Sequence, residues 1–392
     1  MISLYTLTSS LHAETSQDVS SEPFVKEVEE ALGERFIFCG DDFSSFGQRG
    51  EDIIYVRTGG TEGIFKSLGL CEIAKPGLCF KLMTSGKSNS LAASMEILAY
   101  LGQKGLRGEI LHGDAAHIAG RIRASVEDSV ADGSPFISEL PHTDLEGVRL
   151  GVIGAPSDWL IASGVDYAKA GAHLGVELVD IPMAELTDRL SSSRCLASDS
   201  TGRIDMRSFD GSVAIYDALR AIVNDFGLSG LTIRCFDLLD SVHNTGCLAL
   251  ARLNAEGIPS SCEGDIPALI SMMYLQKTRG CPGFQCNLSR IDGDELLFAH
   301  CTVPLNMVSS YSYTTHFESG IGTAIKGELR EGDVEIFKIA PDLEHCVRIP
   351  GRLVRNCSEP FLCRTQIVVS APGAASYLLR SPLANHHIIS YV

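Results

Sequence analysis

The sequence predicts an α/β protein. Two open units built on mostly parallel sheets, residues 1–146 and 147–290, precede a mostly antiparallel β-rich domain at 291–392. Three observations predict it. Short apolar runs alternate with helical patterns through the first two thirds of the chain, as βαβ units require. A polar, acidic stretch at 125–146, containing Gly133-Ser134-Pro135, separates two such series. From about Ile291 the helical period gives way to short strand-like runs.

In the first unit, residues 35–39 and 52–57 read as strands, and the loop Thr58-Gly59-Gly60-Thr61-Glu62-Gly63 follows the second. A helix is expected from Ser88, a plausible N-cap. Leu91, Met95, Leu98 and Leu101 form its apolar face, and Gly105 ends it. The second unit opens with a strand at 148–153, which runs into the loop Gly154-Ala155-Pro156-Ser157-Asp158. A helix at 213–226, a strand at 231–236, a helix at 245–256 and a strand at 258–262 follow. Asp265, with Pro267 in the first turn, marks another helix start. In the third domain, 296–303, 323–329 and 334–339 read as strands, with Glu331-Gly332-Asp333 as a hairpin turn between the last two. The apolar pattern after His386 and His387 reads as a final strand, either a sheet edge or one continued by further chain.

Composition narrows the function. The net charge of −17 opposes binding to nucleic acid, whose phosphates need Lys and Arg. It equally opposes an anionic membrane surface, and no eighteen-residue apolar run spans a bilayer. One local Arg cluster could still hold a small anion. Thirteen cysteines, an odd number without one CxxC, read as reduced thiols. With no basic, apolar leader at 1–17, the expected location is the cytoplasm.

Two glycine loops tempt a nucleotide reading. Ser85-Gly86-Lys87-Ser88 lacks the earlier glycine of a P-loop, whose place holds Lys81. No GxGxxG follows Gly59-Gly60, so that pair reads as a tight turn. Cys262-Glu263-Gly264-Asp265 is more informative. Ligands of open α/β sheets sit off the carboxyl ends of strands. Asp265 is explained as a helix cap, whereas Glu263 has no evident structural duty. The late histidines, His300, His316, His386 and His387, together with that carboxylate, point to a divalent metal site, although no HExxH is present.

The segment 231–304 resembles the core of the L-fucose isomerase and L-arabinose isomerase superfamily. The resemblance rests on Phe236-Asp237-Leu238, on 249–257, on Cys262-Glu263-Gly264-Asp265, on 284–287, on Leu297-Phe298-Ala299-His300 and on the late Ala384-Asn385-His386. It implies two Rossmann-like domains and a barrel-like C-terminal domain. It implies a homo-oligomer (trimer, tetramer or hexamer) and metal-dependent aldose–ketose isomerisation of a hexose, pentose or deoxy sugar through an ene-diol. By position, the implied metal site, for Mn²⁺ or another divalent cation, is Glu263, Asn287 and His386. His300, His316 and Glu318 would lie near the sugar. Asn287 stands where the family has a carboxylate. It can ligate through its carbonyl but cannot act as a base, so Asp237 or Glu318 would supply the second proton-transfer group, with Asp237 named beside Glu263 as catalytic. Two alternatives stay open. One is an isomerase of a sulfonated or phosphorylated hexose, favoured if Arg57, Arg234 or Arg364 reaches the pocket. The other is a sugar-binding homologue without turnover.

Overall fold

The computed structural model describes residues 1–9, 18–48, 50–124, 135–140, 145–190, 206–380 and 383–392. Most of the acidic stretch at 125–146, and residues 10–17 of the amino-terminal segment, lie outside these.

The first parallel sheet holds β1 (Ile2–Leu7), β2 (Phe36–Gly40), β3 (Glu51–Val56), β4 (Cys79–Thr84) and β5 (Arg107–Leu111), in the order β2-β1-β3-β4-β5. Strands such as β3 and β4 are buried along almost their whole length, as parallel strands covered on both faces must be. β6 (Ile137–Glu139) leaves this unit. The second parallel sheet holds β7 (Arg149–Ile153), β8 (Glu177–Ile181), β9 (Gly230–Ile233) and the short β10 (Ser260–Ser261), in the order β10-β9-β7-β8. Both sheets reverse direction of winding beside their first strand, which opens a crevice at the carboxyl ends there.

The remaining strands are β11 (Phe284–Asp292), β12 (Glu295–His300), β13 (Val308–Thr314), β14 (Ala324–Leu329), β15 (Gly332–Ile339), β16 (His345–Cys357), β17 (Thr365–Ser370) and β18 (His387–Tyr391). Six of them run β15-β18-β11-β12-β17-β16 and close through a β15–β16 pairing into an antiparallel barrel, with β6 added along β16. β13 and β14 form a separate ribbon.

Several local expectations change. The β-rich region opens at Phe284, ahead of Ile291. The segment Glu331–Asp333 is no hairpin turn: β14 pairs with β13, while β15 pairs with β16 and β18. The last strand is not an edge, because β18 lies between β11 and β15 inside the closed barrel. The helix expected at Ser88 starts at Ser90, with Ser88 and Asn89 both in the left-handed region. The strands expected at 231–236 and 258–262 shorten to Gly230–Ile233 and Ser260–Ser261, since their distal residues turn into loops at the sheet edge.

Two helices clamp the barrel. Ser90–Gln103 is apolar nearly all round, and its Leu91, Met95 and Leu98 join one core with Phe284, Phe298, Ile336 and Ile389 of the barrel. Ile266–Arg279 packs Leu269, Ile270 and Met273 against Phe337, Ile339 and Ile388. The amino terminus of this second helix, just after Glu263, therefore abuts the start of β18, just after His386. No helix of the described residues is long and apolar enough to cross a membrane.

Candidate active site

Glu263 follows β10 at the carboxyl edge of the second sheet, with φ of 66°. A left-handed non-glycine residue costs on the order of 1–3 kcal/mol and persists only where its surroundings fix it. The fixing groups are visible. Gly264, also left-handed, lies so close to the β7 loop that a Cβ there would meet the Ala155 carbonyl oxygen at 2.4 Å. Ser157 N–H donates to the Glu263 carbonyl at 3.0 Å. Trp159 Nε1–H donates to Glu263 Oε2 at 2.5 Å. Asp265 caps the next helix by accepting from Ala268 N at 2.7 Å, worth about 1 kcal/mol.

Barrel register brings the other groups in. Cys286 pairs with His387 across β11 and β18, and Asn287 pairs with Ala299 across β11 and β12. Asn287, His300 and His386 consequently meet at one barrel end. His386 Nε2 lies 3.4 Å and His300 Nε2 3.8 Å from Glu263 Oε1. Each imidazole is oriented from behind. His386 Nδ1 meets Asp265 Oδ2 at 2.8 Å, and His300 Nδ1 meets Thr302 Oγ1 at 2.8 Å. A carboxylate behind Nδ1 fixes the tautomer that presents Nε2 as a metal ligand. His386 also has a left-handed backbone, φ 53°. Its segment is held by two buried charges: Glu96 accepts from Asn385 N at 3.1 Å, and Lys338 Nζ donates to the Asn385 carbonyl.

Asn287, His300, His316, Glu318 and Glu263 line one small cavity with Asn89, Phe236 and the thiols of Cys247, Cys262, Cys301 and Cys363. It has room of about 20 Å³, enough for one water or one ion. Asn287 Oδ1 accepts from Asn385 Nδ2 at 2.7 Å, so its carbonyl already has one partner. His316 Nδ1 contacts Ser319 Oγ at 2.9 Å, and its ring stands edge-on to Phe236, which in turn meets Trp159. Glu318 Oε1 accepts from Asn89 Nδ2 at 3.0 Å.

Asp237 is elsewhere. Its carboxylate pairs with Arg234 at 3.0 Å and is not part of the cavity lining. The three arginines weighed as anion holders do not line the cavity either. Arg57 pairs with Glu22, Arg234 with Asp158 and Asp237, and Arg364 Nε donates to the Thr315 carbonyl at 2.7 Å, bracing the loop that carries His316.

Electrostatics favour a cation. Burial alone would raise Glu263, yet His386 and His300 beside it hold its carboxyl well below the usual range. Burial alone would lower His386, yet Glu263 and Asp265 raise it to about 10. Burial, with Glu263 nearby, raises Glu318 to about 7. Glu62, wholly buried, is pushed well up by burial and by the carboxyls of Glu96, Glu263 and Glu318. Acidic groups thus outnumber buried bases at this point. His386 Nε2 is buried with no hydrogen-bond partner, and ligand atoms of Cys262, Glu263 and His300 lie within 4.8 Å of one another. A negative potential that loads a buried imidazole with a proton suits a divalent cation too, and the donors present fit one. The Cys262 thiol faces Cys235 at 3.0 Å and is pushed well up, first by its hydrogen bond to Cys235 and then by burial, which makes it the weakest donor of the group.

Sequence reasoning missed Trp159, Asn89, Glu62, Glu96 and Lys338. One signal was available: Glu96 interrupts the otherwise apolar run Leu91-Ala92-Ala93-Ser94-Met95-Glu96-Ile97-Leu98, and a carboxylate inside an apolar helix needs a buried partner.

No protein-family model matches the chain. Three curated relatives do. A sulfoquinovose isomerase from Alkalicoccus urumqiensis is 22% identical over 213 residues, 50% of this chain and 48% of the relative. Sulfoquinovose isomerases from Priestia aryabhattai and Priestia megaterium are each 27% identical over 161 residues, 38% of this chain and 36% of each relative. The matched stretch spans about half of the first relative's length and little more than a third of the others'. With Glu263, His300 and His386 converging as they do, the chain is a distant relative of proteins named as sugar isomerases.

Proposed function

We propose that the protein is a metal-dependent aldose–ketose isomerase and that its substrate is a sulfonated hexose. The observation that carries the reading is the convergence of ionised Glu263 with the oriented Nε2 atoms of His300 and His386, where Glu263 and His300 line a small cavity. The names of the relatives supply the substrate class.

Glu263, His300 and His386 would hold the cation, with the Asn287 carbonyl beside them. A bound divalent cation supplies Lewis acidity toward the two adjacent sugar oxygens that exchange a proton. The chain's residues do the rest. Trp159 Nε1–H pins one oxygen of Glu263 and leaves the other toward the histidines. Glu318, with a carboxyl balanced near neutrality, accepts the proton from C2 of the aldose and returns it to C1. This assignment fills the place that Asn287 leaves empty. Asn89 orients Glu318, and the edge-to-face series Trp159–Phe236–His316 offers an apolar wall for the sugar ring. A hexose exceeds the cavity, so Asn89 and Glu318 part when the sugar enters.

The test uses the chain's single tryptophan, Trp159, one hydrogen bond from Glu263. Mn²⁺ should quench its fluorescence and raise the melting temperature in wild type but not in Glu263→Gln. Sulfoquinovose should be converted to a ketose. A metal response without conversion of any sugar in a panel of sulfonated and neutral aldoses would favour the second reading, a binding protein, for which Asn287 in place of a carboxylate is the specific support.

A further inference from the structure

The Glu263 cavity has no Lys or Arg in its lining among the described residues. Cations gather instead in a much larger cleft of about 920 Å³ on the other side of loop 85–89. One wall is the carboxyl edge of the first sheet: Ser85 to Lys87 follow β4, and His112 to Asp114 follow β5. The facing wall is the β11–β12 turn around Arg290 and the segment ending at Arg380. This is where open α/β sheets take ligands, and the volume lies within the usual range for small-molecule sites.

The cleft is preformed. His112 bolts its walls together, Nδ1 meeting Thr84 Oγ1 at 2.7 Å and Nε2 accepting from Ile291 N at 3.0 Å. Burial pushes this imidazole down to about 4, so it stays neutral and holds that geometry. Lys87, Arg121, Arg290 and Arg380 bring four positive charges to the lining in a chain of net charge −17. Arg121 grips Glu109 and Arg290 grips Glu359, and the Arg290 guanidinium, with five N–H donors, keeps some for a ligand. Lys87 lies over the exposed Phe361 ring at 5.3 Å, with no carboxylate partner among the described residues. Glu109, Asp114 and Asp292 stand among these cations as acceptors for hydroxyl groups.

We propose that this cleft is a second ligand site, built for a small polyol bearing a phosphate or sulfonate group. Its anionic group meets Lys87 and the arginines, and its hydroxyls meet the carboxylates. Loop 85–89 couples the site to the Glu263 cavity, a part of the proposal that rests on the isomerase reading. Lys87 faces the cleft. Two residues on, Asn89 donates to Glu318, and Ser88 and Asn89 are consecutive left-handed residues at φ 47° and 59°. Ser88 N–H donates to the Phe361 carbonyl at 3.2 Å, so the ring under Lys87 and the strained turn move together.

Calorimetry on the full chain, treated with chelator, tests it with glucose 6-phosphate, glucose 6-sulfonate (sulfoquinovose), inorganic phosphate and glucose. The two hexose anions should bind and glucose should not. Lys87→Met and Arg380→Met should each weaken binding about tenfold, the scale of one charge-assisted contact. Glu263→Gln should leave the affinity unchanged. Asn89→Ala should bind equally but lose any ligand-induced change in Trp159 fluorescence. Failure of both anions to bind by about 10 mM, or affinity lost with Glu263→Gln and untouched by Lys87→Met, overturns the site. Phosphate binding as tightly as the hexose anions overturns the polyol. Binding that survives while wild type converts no sugar upholds the cleft and removes the isomerase reading alone.

Discussion

The two parallel sheets present their carboxyl ends to the same barrel and end in different kinds of site. Off the second sheet, Glu263 meets His300 and His386, and Glu263 and His300 line a space of about 20 Å³. Off the first, Lys87, His112 and Arg290 surround an open space of about 920 Å³. The winding rule locates ligands at both edges, but the barrel decides which chemistry each edge acquires. At the second sheet it contributes oriented imidazoles from β12 and the start of β18. At the first it contributes only the solvent-facing turn of β11 and β12. Backbone strain follows the same division. Glu263 and His386, which face each other at 3.4 Å, are both left-handed, and Ser88 and Asn89 are left-handed in the loop between the two spaces.

The largest expected effect breaks the closed site at its centre. Glu263→Gln keeps the shape and removes the charge. It should cut turnover by at least 10³-fold and abolish the Mn²⁺-dependent quenching of Trp159. If the metal response survives, the carboxylate is not what distinguishes the two edges. Glu318→Gln should lower kcat about 10²-fold with the metal response retained, since Glu318 lies among none of the proposed ligands. It also alters stability. The folded carboxyl is raised to about 7. The stability that its proton contributes is therefore complete below the ordinary carboxylate range and is lost as pH rises through about 7. In chelator-treated protein, Glu318→Gln should gain on wild type in melting temperature between pH 5 and pH 8. A constant difference across that range would place the proton elsewhere.

A smaller effect separates scaffold from ligand orientation. Asp265 both caps the helix Ile266–Arg279 and fixes His386. Asn caps as well as Asp, so Asp265→Asn should keep the helix, and chelated protein should lose only the stability that the Asp265 carboxylate lends to protonated His386. Losing the carboxylate behind an imidazole ligand typically weakens metal binding 10–100-fold, and titration of Trp159 quenching should show a loss of that size.

The same residue marks how far the sequence could be read. Its role as cap was legible, because Asp before Ile-Pro at a strand-to-helix junction is a local signal. Its bond to His386 was not, because 121 positions separate the two. Glu263 stood out for the local reason that a carboxylate beside Gly264 had no structural duty. The late histidines and Asn287 were legible as residue types, while their meeting depends on the register of β11 against β12 and β18. The failures have the same origin. Glu331–Asp333 has the composition of a hairpin turn, yet composition cannot say which strand β15 will pair with. The place of the last strand, read as an edge or as continued by further chain, was not legible because the partners that enclose it, β11 and β15, lie about fifty residues or more away. Trp159 gave no local signal at all.

The smallest expected effect concerns Asp237, the residue that sequence reasoning named beside Glu263. Its carboxylate faces Arg234, which also holds Asp158 and the Pro156 carbonyl. Arg234 thereby ties the loop after β9 to the loop after β7, the loop that carries Trp159. Asp237→Asn removes one partner of a partly exposed pair, a contact worth about 1 kcal/mol or less, and leaves Asp158 in place. Turnover should stay within about threefold of wild type, with the pH profile and Trp159 fluorescence unchanged. A loss near 10²-fold with a displaced acidic limb would instead return Asp237 to the chemistry and take the second proton-transfer role from Glu318. Arg234→Met tells the two cases apart. It should disturb Trp159 fluorescence through the loop, while a variant lacking only the Asp237 carboxylate should not.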